Sequence, residues 1–554
     1  MGPTNIETNV PHVTITRKSH ILSVPTEVAF LFFDRLEKKD LASLRLTCHQ
    51  LNQFTVERLF KRLVIRPTQN LAGLNNIRDE TAQYVQSIEL FPARPSDLYK
   101  PVDESNYQSA DDLKTPSFPN LRTLHLHGHN LQMRRVAVKL LQEHNSVKDL
   151  SLNFKQRYFT PKHCEEELQG VRRLETLSIR LGRTQETWAR LPHLESLWDT
   201  KSIAPAWDMI TANSDTLKVL NLEFPSEIVG VFGQAEPSHS PDTSALFPTT
   251  PGKWKKQLQL RELKLQHLEN FGQVYEQTKF FNPETLQSLS LIDCPESDGA
   301  LLALAESMTN LKSLQIRHSL RDPQKLRSLL KRLPALENLH IALPYQQNFD
   351  YKWLATQKHS VKYLWVEALD SRDKDNDNFE DWANLEELAF MKFHQASGRR
   401  SGVLCLKNLR IPANLRMIRL LHPQRDARRN FDPAQVNKLI EALGARQFRM
   451  MSAKYPRTAE GKRKRMYIKP NLKFLAIGCW HGCDDTHDQT RVLKLDFQHT
   501  ERLGKFQGSF ERIPMRGFAR GHPDTRMLAY GEARGWRAWA GRPFTTEMTF
   551  GDDA

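Results

Sequence analysis

Leu286-Gln287-Ser288-Leu289-Ser290-Leu291, Leu311-Lys312-Ser313-Leu314-Gln315-Ile316 and Leu336-Glu337-Asn338-Leu339-His340-Ile341 stand 25 residues apart and share the pattern Leu-x-x-Leu-x-Leu/Ile. The register continues both ways, with starts at Leu121, Val147, Leu174, Leu194, Leu217, Leu260, Val361, Leu385, Leu415 and Leu472. A Leu-rich chain matches so short a pattern by accident, but not at a recurring interval. The second residue is polar or charged in every unit, as an extended segment with one buried face requires.

Between these segments the period becomes helical. Leu301, Leu304, Ala305 and Met308 follow Asp293-Cys294-Pro295, and Leu326, Leu329, Leu330 and Leu333 follow Asp322-Pro323, both at i, i+3, i+4, i+7. Asp322 is placed to cap the second helix, with Pro323 at its first position. A unit of strand, turn, helix and return cannot bury its own apolar face, so it must stack on its neighbours. A curved α/β solenoid of about 12–13 irregular repeats follows, with strands lining the concave side. An ordinary α/β sheet needs parallel strands buried on both faces, and the alternating polar residues argue against that.

The array resembles the leucine-rich-repeat family, whose repeat length is about 20–29 residues. Only Leu286-x-x-Leu289-x-Leu291-x-x-Cys294 carries that family's Asn/Cys at the ninth position, and the unit starting at Leu194 lacks the last apolar residue.

Before the array, Leu22-Ser23-Val24-Pro25-Thr26-Glu27-Val28, Leu31-Phe32-Phe33, Leu36, Asp40-Leu41, Leu44, Leu46, Cys48, Leu51 and Leu59-Phe60 read as three helices. Pro25 begins the first; Asp40 caps a second whose apolar face holds Leu41, Leu44 and Cys48; Thr55 caps the third. So small a segment cannot sustain a core alone and must dock on something. The spacing of Val24-Pro25, Glu27, Phe32-Phe33, Leu36, Asp40-Leu41 and Cys48 resembles the F-box, with Val24 in place of the usual Leu and Leu51 where many members have Trp. The other reading is a helical cap over the first repeat. Both hold if the segment packs on a first strand at Leu63-Val64-Ile65.

The expected organisation is an N-terminal extension over 1–18, the F-box over 19–60, repeats over 61–480 with disordered insertions near 92–118, 230–257, 370–380 and 453–468, and a tail of unassigned fold over 481–554. A solenoid of 554 residues grows linearly and needs no division into globular domains. No apolar run reaches the ~18–20 residues of a membrane span, no secretory leader is visible, and six scattered cysteines read as reduced and intracellular. The net charge of +15 is concentrated: residues 445–469 carry nine Lys/Arg against one acid, and residues 501–546 nine against four. The repeats are thus nearly neutral. Gly461-Lys462-Arg463-Lys464-Arg465 reads equally as a nuclear-import signal or a solvated loop, which leaves a cytoplasmic or nuclear location, or both.

No Walker loop, Gly-x-Ser-x-Gly elbow, His-Glu-x-x-His or dinucleotide fingerprint occurs, so neither catalysis nor a cofactor is expected. Cys479-Trp480-His481-Gly482-Cys483-Asp484-Asp485-Thr486-His487 offers four N/S ligands, but its spacing departs from that of structural zinc sites, and a turn closing the last strand is the expected reading.

Together the two halves resemble the F-box and leucine-rich-repeat family. The resemblance implies a non-catalytic substrate-recognition subunit of a Skp–cullin–F-box ubiquitin ligase. Val24, Pro25, Val28, Phe32, Leu36, Leu41 and Leu44 would meet the Skp-type adaptor, a cullin would scaffold the complex, and the repeats would hold a target protein. A scaffold outside any ligase and a nucleic-acid binder using the two basic segments are the competing classes; neither nucleic acid nor membrane is an expected partner. If positions 3, 5 and 7 of each repeat face the concave side, Tyr363, Trp365, Met391, Met417 and Leu421 form an exposed apolar patch suited to a target, unless the tail covers it.

Overall fold

The computed structural model describes residues 33, 36, 38–65, 77–90, 116–127, 131–154, 171–181, 204–224, 256–268, 270–317, 319–320, 322–343, 348–367, 369–370, 379–391, 410–422, 440–441, 443, 471–479, 491–500 and 505–513. The strands are β1 Arg62–Ile65, β2 Ser87–Leu90, β3 Thr123–Leu126, β4 Asp149–Phe154, β5 Thr176–Leu181, β6 Val219–Glu223, β7 Glu262–Gln266, β8 Ser288–Ile292, β9 Ser313–Arg317, β10 Asn338–Ala342, β11 Asn348–Phe349, β12 Tyr363–Glu367, β13 Leu369–Asp370, β14 Glu387–Met391, β15 Met417–His422, β16 Phe474–Cys479, β17 Arg491–Thr500 and β18 Lys505–Ile513. Sixteen of them form one open sheet in chain order, with β11 and β13 as a separate small pair. Pairing is parallel as far as β16 and antiparallel through β17 and β18.

The repeat register sets the pairing. Leu289 lies beside Leu314, Leu314 beside Leu339 and Leu339 beside Leu364; the row continues through Leu388, Ile418 and Leu475. All are buried, as are the first residues of these units and the sixth residues from Leu291 to Phe390. Helices Leu131–Glu143, Ala204–Ala212, Phe271–Thr278, Asp298–Leu304 and Pro323–Arg332 connect successive strands and share the same apolar core. Asp322 caps the last of these as expected, its carboxylate accepting from the Gln324 N–H at 2.8 Å.

Polar side chains fasten each unit to the one before. Asn213, four residues before Leu217, accepts from the Leu174 N–H at 2.8 Å and donates to the Val171 carbonyl at 3.0 Å. Gln357, four before Val361, accepts from the Leu336 N–H at 2.9 Å and donates to Leu330 at 3.0 Å. The residue just before a repeat's first Leu does similar work: Asn310, Asn414 and Asn471 donate to the carbonyls of Glu284, Ala383 and Ala413 at 2.7, 2.6 and 2.9 Å. Ninth-position Cys294 is buried and its thiol donates to backbone carbonyls of Leu265 and Ile292. In the next repeat Ser319 stands there, accepting from the Cys294 N–H at 3.0 Å and donating to Leu291 at 3.1 Å.

Three expectations about the array change. Strands β5 and β6 pair directly, so the segment at Leu194, itself outside the described residues, puts no strand between them. Val85-Gln86-Ser87-Ile88-Glu89-Leu90 carries the repeat pattern and supplies β2, with Val85, Ile88 and Leu90 fully buried. Part of the tail beyond 480 is the β17–β18 hairpin, which extends the sheet. The expected insertions and the extension over 1–18 fall almost wholly outside the described residues.

At the other end, helices Lys38–Leu44 and His49–Phe60 enclose a small core of Phe33, Leu41 and Leu51 with Leu36, Leu44, Phe54 and Leu59 around it, separate from the main core. The helix His49–Phe60 also touches β1, whose Leu63 and Ile65 pack on the main core. Asp40 sits within the first turn of its helix rather than before it, Cys48 is the exposed residue preceding the next helix, and Thr55 lies mid-helix with its hydroxyl donating to the Leu51 carbonyl at 2.7 Å. The expected apolar role of Cys48 and capping role of Thr55 are therefore wrong: the chain turns at Thr47, one helical turn earlier than the apolar spacing suggests.

Candidate functional site

Two surfaces bear on function, the N-terminal helices and one face of the long sheet. Of the residues expected to meet an adaptor, Val24, Pro25, Val28 and Phe32 lie outside the described residues. Leu36 and Leu44 are half-buried, but Leu41 is only 5% exposed, inside the small core, so it holds the helices together instead of presenting a contact. Leu46 takes the outward place. It is 83% exposed, the one large hydrophobic so exposed among the described residues. It stands in the turn over 45–47 that follows the helix Lys38–Leu44, and its sequence signal was that it breaks the spacing of Leu41 and Leu44.

The sheet face carrying positions 3, 5 and 7 divides into two halves. From β8 to β15 it is closed over by its own side chains. Ser290 donates to the Gln315 Oε1 at 2.6 Å, the Gln315 amide meets His340 Nδ1 at 2.9 Å, and His340 Nε2 stands 3.3 Å from Glu367. The Trp365 indole N–H donates to that same Glu367 carboxylate at 2.5 Å. The His340 ring lies 5.1 Å from the Trp365 ring, and the Arg419 guanidinium 4.9 Å from the centre of that same ring. Ser290, Gln315, His340, Trp365, Glu367, Glu387 and Arg419 are all buried.

This overturns the exposed apolar patch. Trp365 is 1% exposed and Met417 fully buried; Tyr363 is half-buried, and the side chains of Met391 and Leu421 lie outside the described residues. The reason is the row itself: Trp365 is in register with Ala389, Ala389 with Arg419, and Arg419 with Ala476. Small residues alternate with wide ones, so on strands about 4.8 Å apart each alanine leaves room for the wide side chains beside it, and Arg419 reaches Trp365 across Ala389. Ser290, Gln315 and His340, at the middle outward position, are buried as well, because like positions in adjacent strands hydrogen-bond to one another.

From β3 to β7 the face is more open, with Thr123, His125, Asp149, Ser151, Thr176, Glu262, Lys264 and Gln266 half-buried, although Ser178, Asn221 and Glu223 on β5 and β6 are buried. Its charges pair across strands. Arg180 Nε donates to Glu223 at 2.6 Å, and burial holds the Arg180 guanidinium below its ordinary proton affinity despite that carboxylate. On β7, burial lowers the Lys264 amine to about 8, opposed by Glu223 and reinforced by Arg180 and Arg317.

Among the described residues no group of His, Cys, Asp or Glu is placed to hold a metal ion, and no helix is long and apolar enough to cross a membrane. The Cys479 to His487 cluster lies outside them but for the Cys479 backbone.

Among solved structures, the complex of Rad7 and Elc1 in yeast is similar at 14% identity, covering 72% of this chain and 88% of that one with a TM-score of 0.34. No curated protein matches the chain. Compared with known families, residues 21–66 match the F-box-like family, a span that takes in the helices around Phe33, Leu41 and Leu51 and ends just past β1. Residues 21–66 are an F-box-like domain.

Proposed function

We propose that the chain is the substrate-recognition subunit of a Skp–cullin–F-box ubiquitin ligase. On this reading the F-box-like domain binds the Skp-type adaptor, the strand series is a leucine-rich-repeat solenoid that holds a target, and the chemistry belongs to other subunits. The observation that carries it is one continuous object: an F-box-like domain over 21–66 whose helix His49–Phe60 abuts β1, the first strand of sixteen stacked in chain order. An adaptor-binding module is thereby fixed to a long, repetitive surface.

On this reading the target meets the sheet face on the β3 to β9 side, away from the closed row around Trp365. The deciding experiment is co-purification of the full chain and of a chain lacking residues 21–66 with the Skp-type adaptor and a cullin. Capture by the first alone supports the ligase reading. Capture of adaptor without cullin supports a scaffold outside the ligase, and capture of neither overturns both.

A further inference from the structure

Charges on the sheet face follow a pattern, set aside at Arg419, which lies against the Trp365 ring between Ala389 and Ala476. A guanidinium on one strand is met by a carboxylate on the next, Arg62 by Glu89 at 2.7 Å and Arg180 by Glu223 at 2.6 Å, and Arg416, just before β15, reaches back to Glu387 at 2.8 Å. Lys264 on β7 and Arg317 on β9 break it. The partners of Lys264 in register are Asn221 and Ser290, and those of Arg317 are Ile292 and Ala342, none of them acidic. Lys264 makes no hydrogen bond or ion pair among the described residues, and Arg317 Nε is buried with no acceptor among them. The charged groups that bear on Lys264 are Glu223, already taken by Arg180, and the two arginines.

We propose that Lys264 and Arg317 receive two carboxylates from an acidic, extended segment of a partner protein lying across β7 to β9. This rests on the reading that the sheet face binds a target. Arg180, Lys264 and Arg317 bear on one another around the single carboxylate of Glu223, a surplus that an acidic partner neutralises, just as Glu89 and Glu223 already answer Arg62 and Arg180. The two cations stand two strands apart and two residues out of register, about 12 Å in all. Acids three residues apart in an extended chain span about the same distance. A nucleic acid fits less well. It needs cations along the whole strand, whereas the flanking positions Ser178, Asn221, Ser288 and Ser290 are neutral and Asp149 and Glu262 are acidic.

The test uses the full chain with its adaptor and three fluorescein-labelled probes. One is a Gly/Ser peptide carrying Glu at two positions three apart, the second its Gln counterpart, and the third a single-stranded oligonucleotide. The Glu peptide is expected to bind with salt-sensitive affinity, at least tenfold tighter than the Gln peptide, and to protect Lys264 from an amine acylating reagent read by mass spectrometry. Lys264→Gln and Arg317→Gln should each weaken it fivefold or more. The protection assay uses the unmutated protein, so misfolding of a variant leaves the test intact. Equal binding of the two peptides, absent protection, or preference for the oligonucleotide overturns the proposal. If the adaptor is captured but these results fail, the ligase reading stands and this site falls; if the peptide binds with no adaptor captured, the reverse holds.

Discussion

The guanidinium of Arg419 lies 4.9 Å from the centre of the Trp365 ring, reaching across Ala389, the residue in register between them. A cation held against an aromatic ring away from water contributes ~2 kcal/mol, and here it also closes the surface. The most obvious candidate for a target anchor is thus part of the fold.

Trp365→Ala should therefore lower stability by about 3–5 kcal/mol, the usual cost of emptying a buried aromatic site. The urea midpoint of the purified chain measures it. An unchanged midpoint together with lost target capture would restore Trp365 as a contact residue.

The amide clamps give a second, smaller effect. Asn213→Ala strands the Leu174 N–H and the Val171 carbonyl, and Gln357→Ala strands the Leu336 N–H and the Leu330 carbonyl. Each unsatisfied buried group costs about 1–3 kcal/mol. Hydrogen exchange should show the loss concentrated in the two repeats that each clamp joins, because stacked units contact chiefly their neighbours. A uniform loss across the chain would contradict this.

Leu46 separates adaptor binding from folding. At 83% exposure its replacement by Glu removes no packing, so helix content and melting temperature should stay as they are while adaptor affinity falls at least tenfold. Leu41→Glu, placing a charge among Phe33 and Leu51, should unfold the small domain instead. Equal adaptor affinity in Leu46→Glu and the unmutated chain would move the contact elsewhere on the domain.

How far the sequence led depended on whether a local pattern or a cross-strand neighbour decided the outcome. Leu289, Leu314 and Leu339 were placed correctly because their period is written in the chain and the sheet repeats it. The unit at Val85 carried the same signal and was missed, being separated from Leu121 by a long interval. Thr55 and Cys48 were misplaced because helix boundaries depend on where the chain turns, and Leu41, Leu44 and Cys48 share a spacing that runs through that turn. The burial of Trp365 and Met417 was not legible at all. It depends on Ala389 standing beside Trp365 and on Glu387 and Phe474 standing beside Met417, relationships that exist only once the register is set. The same holds for Lys264 and Arg317, whose lack of a carboxylate appears only when their neighbours are known.

The last expectation concerns pH. Burial lowers the Lys264 amine from 10.5 to about 8 in the folded chain. Between those values the unfolded chain holds a proton that the folded chain has released, so stability rises with pH across that window and is flat below it. The group penalises folding most at neutral pH. Lys264→Met should therefore raise the melting temperature at pH 7, and the advantage should shrink as the pH climbs past about 8. Comparing the two proteins at each pH cancels the other titrating groups. Adding the Glu peptide should raise the amine's proton affinity, because two carboxylates favour its charged form, and so restore part of the lost stability of the unmutated chain at pH 7. A melting-temperature difference that stays constant from neutral pH to 10.5 would mean that Lys264 titrates as an ordinary exposed amine, and the vacancy on β7 would lose its physical basis.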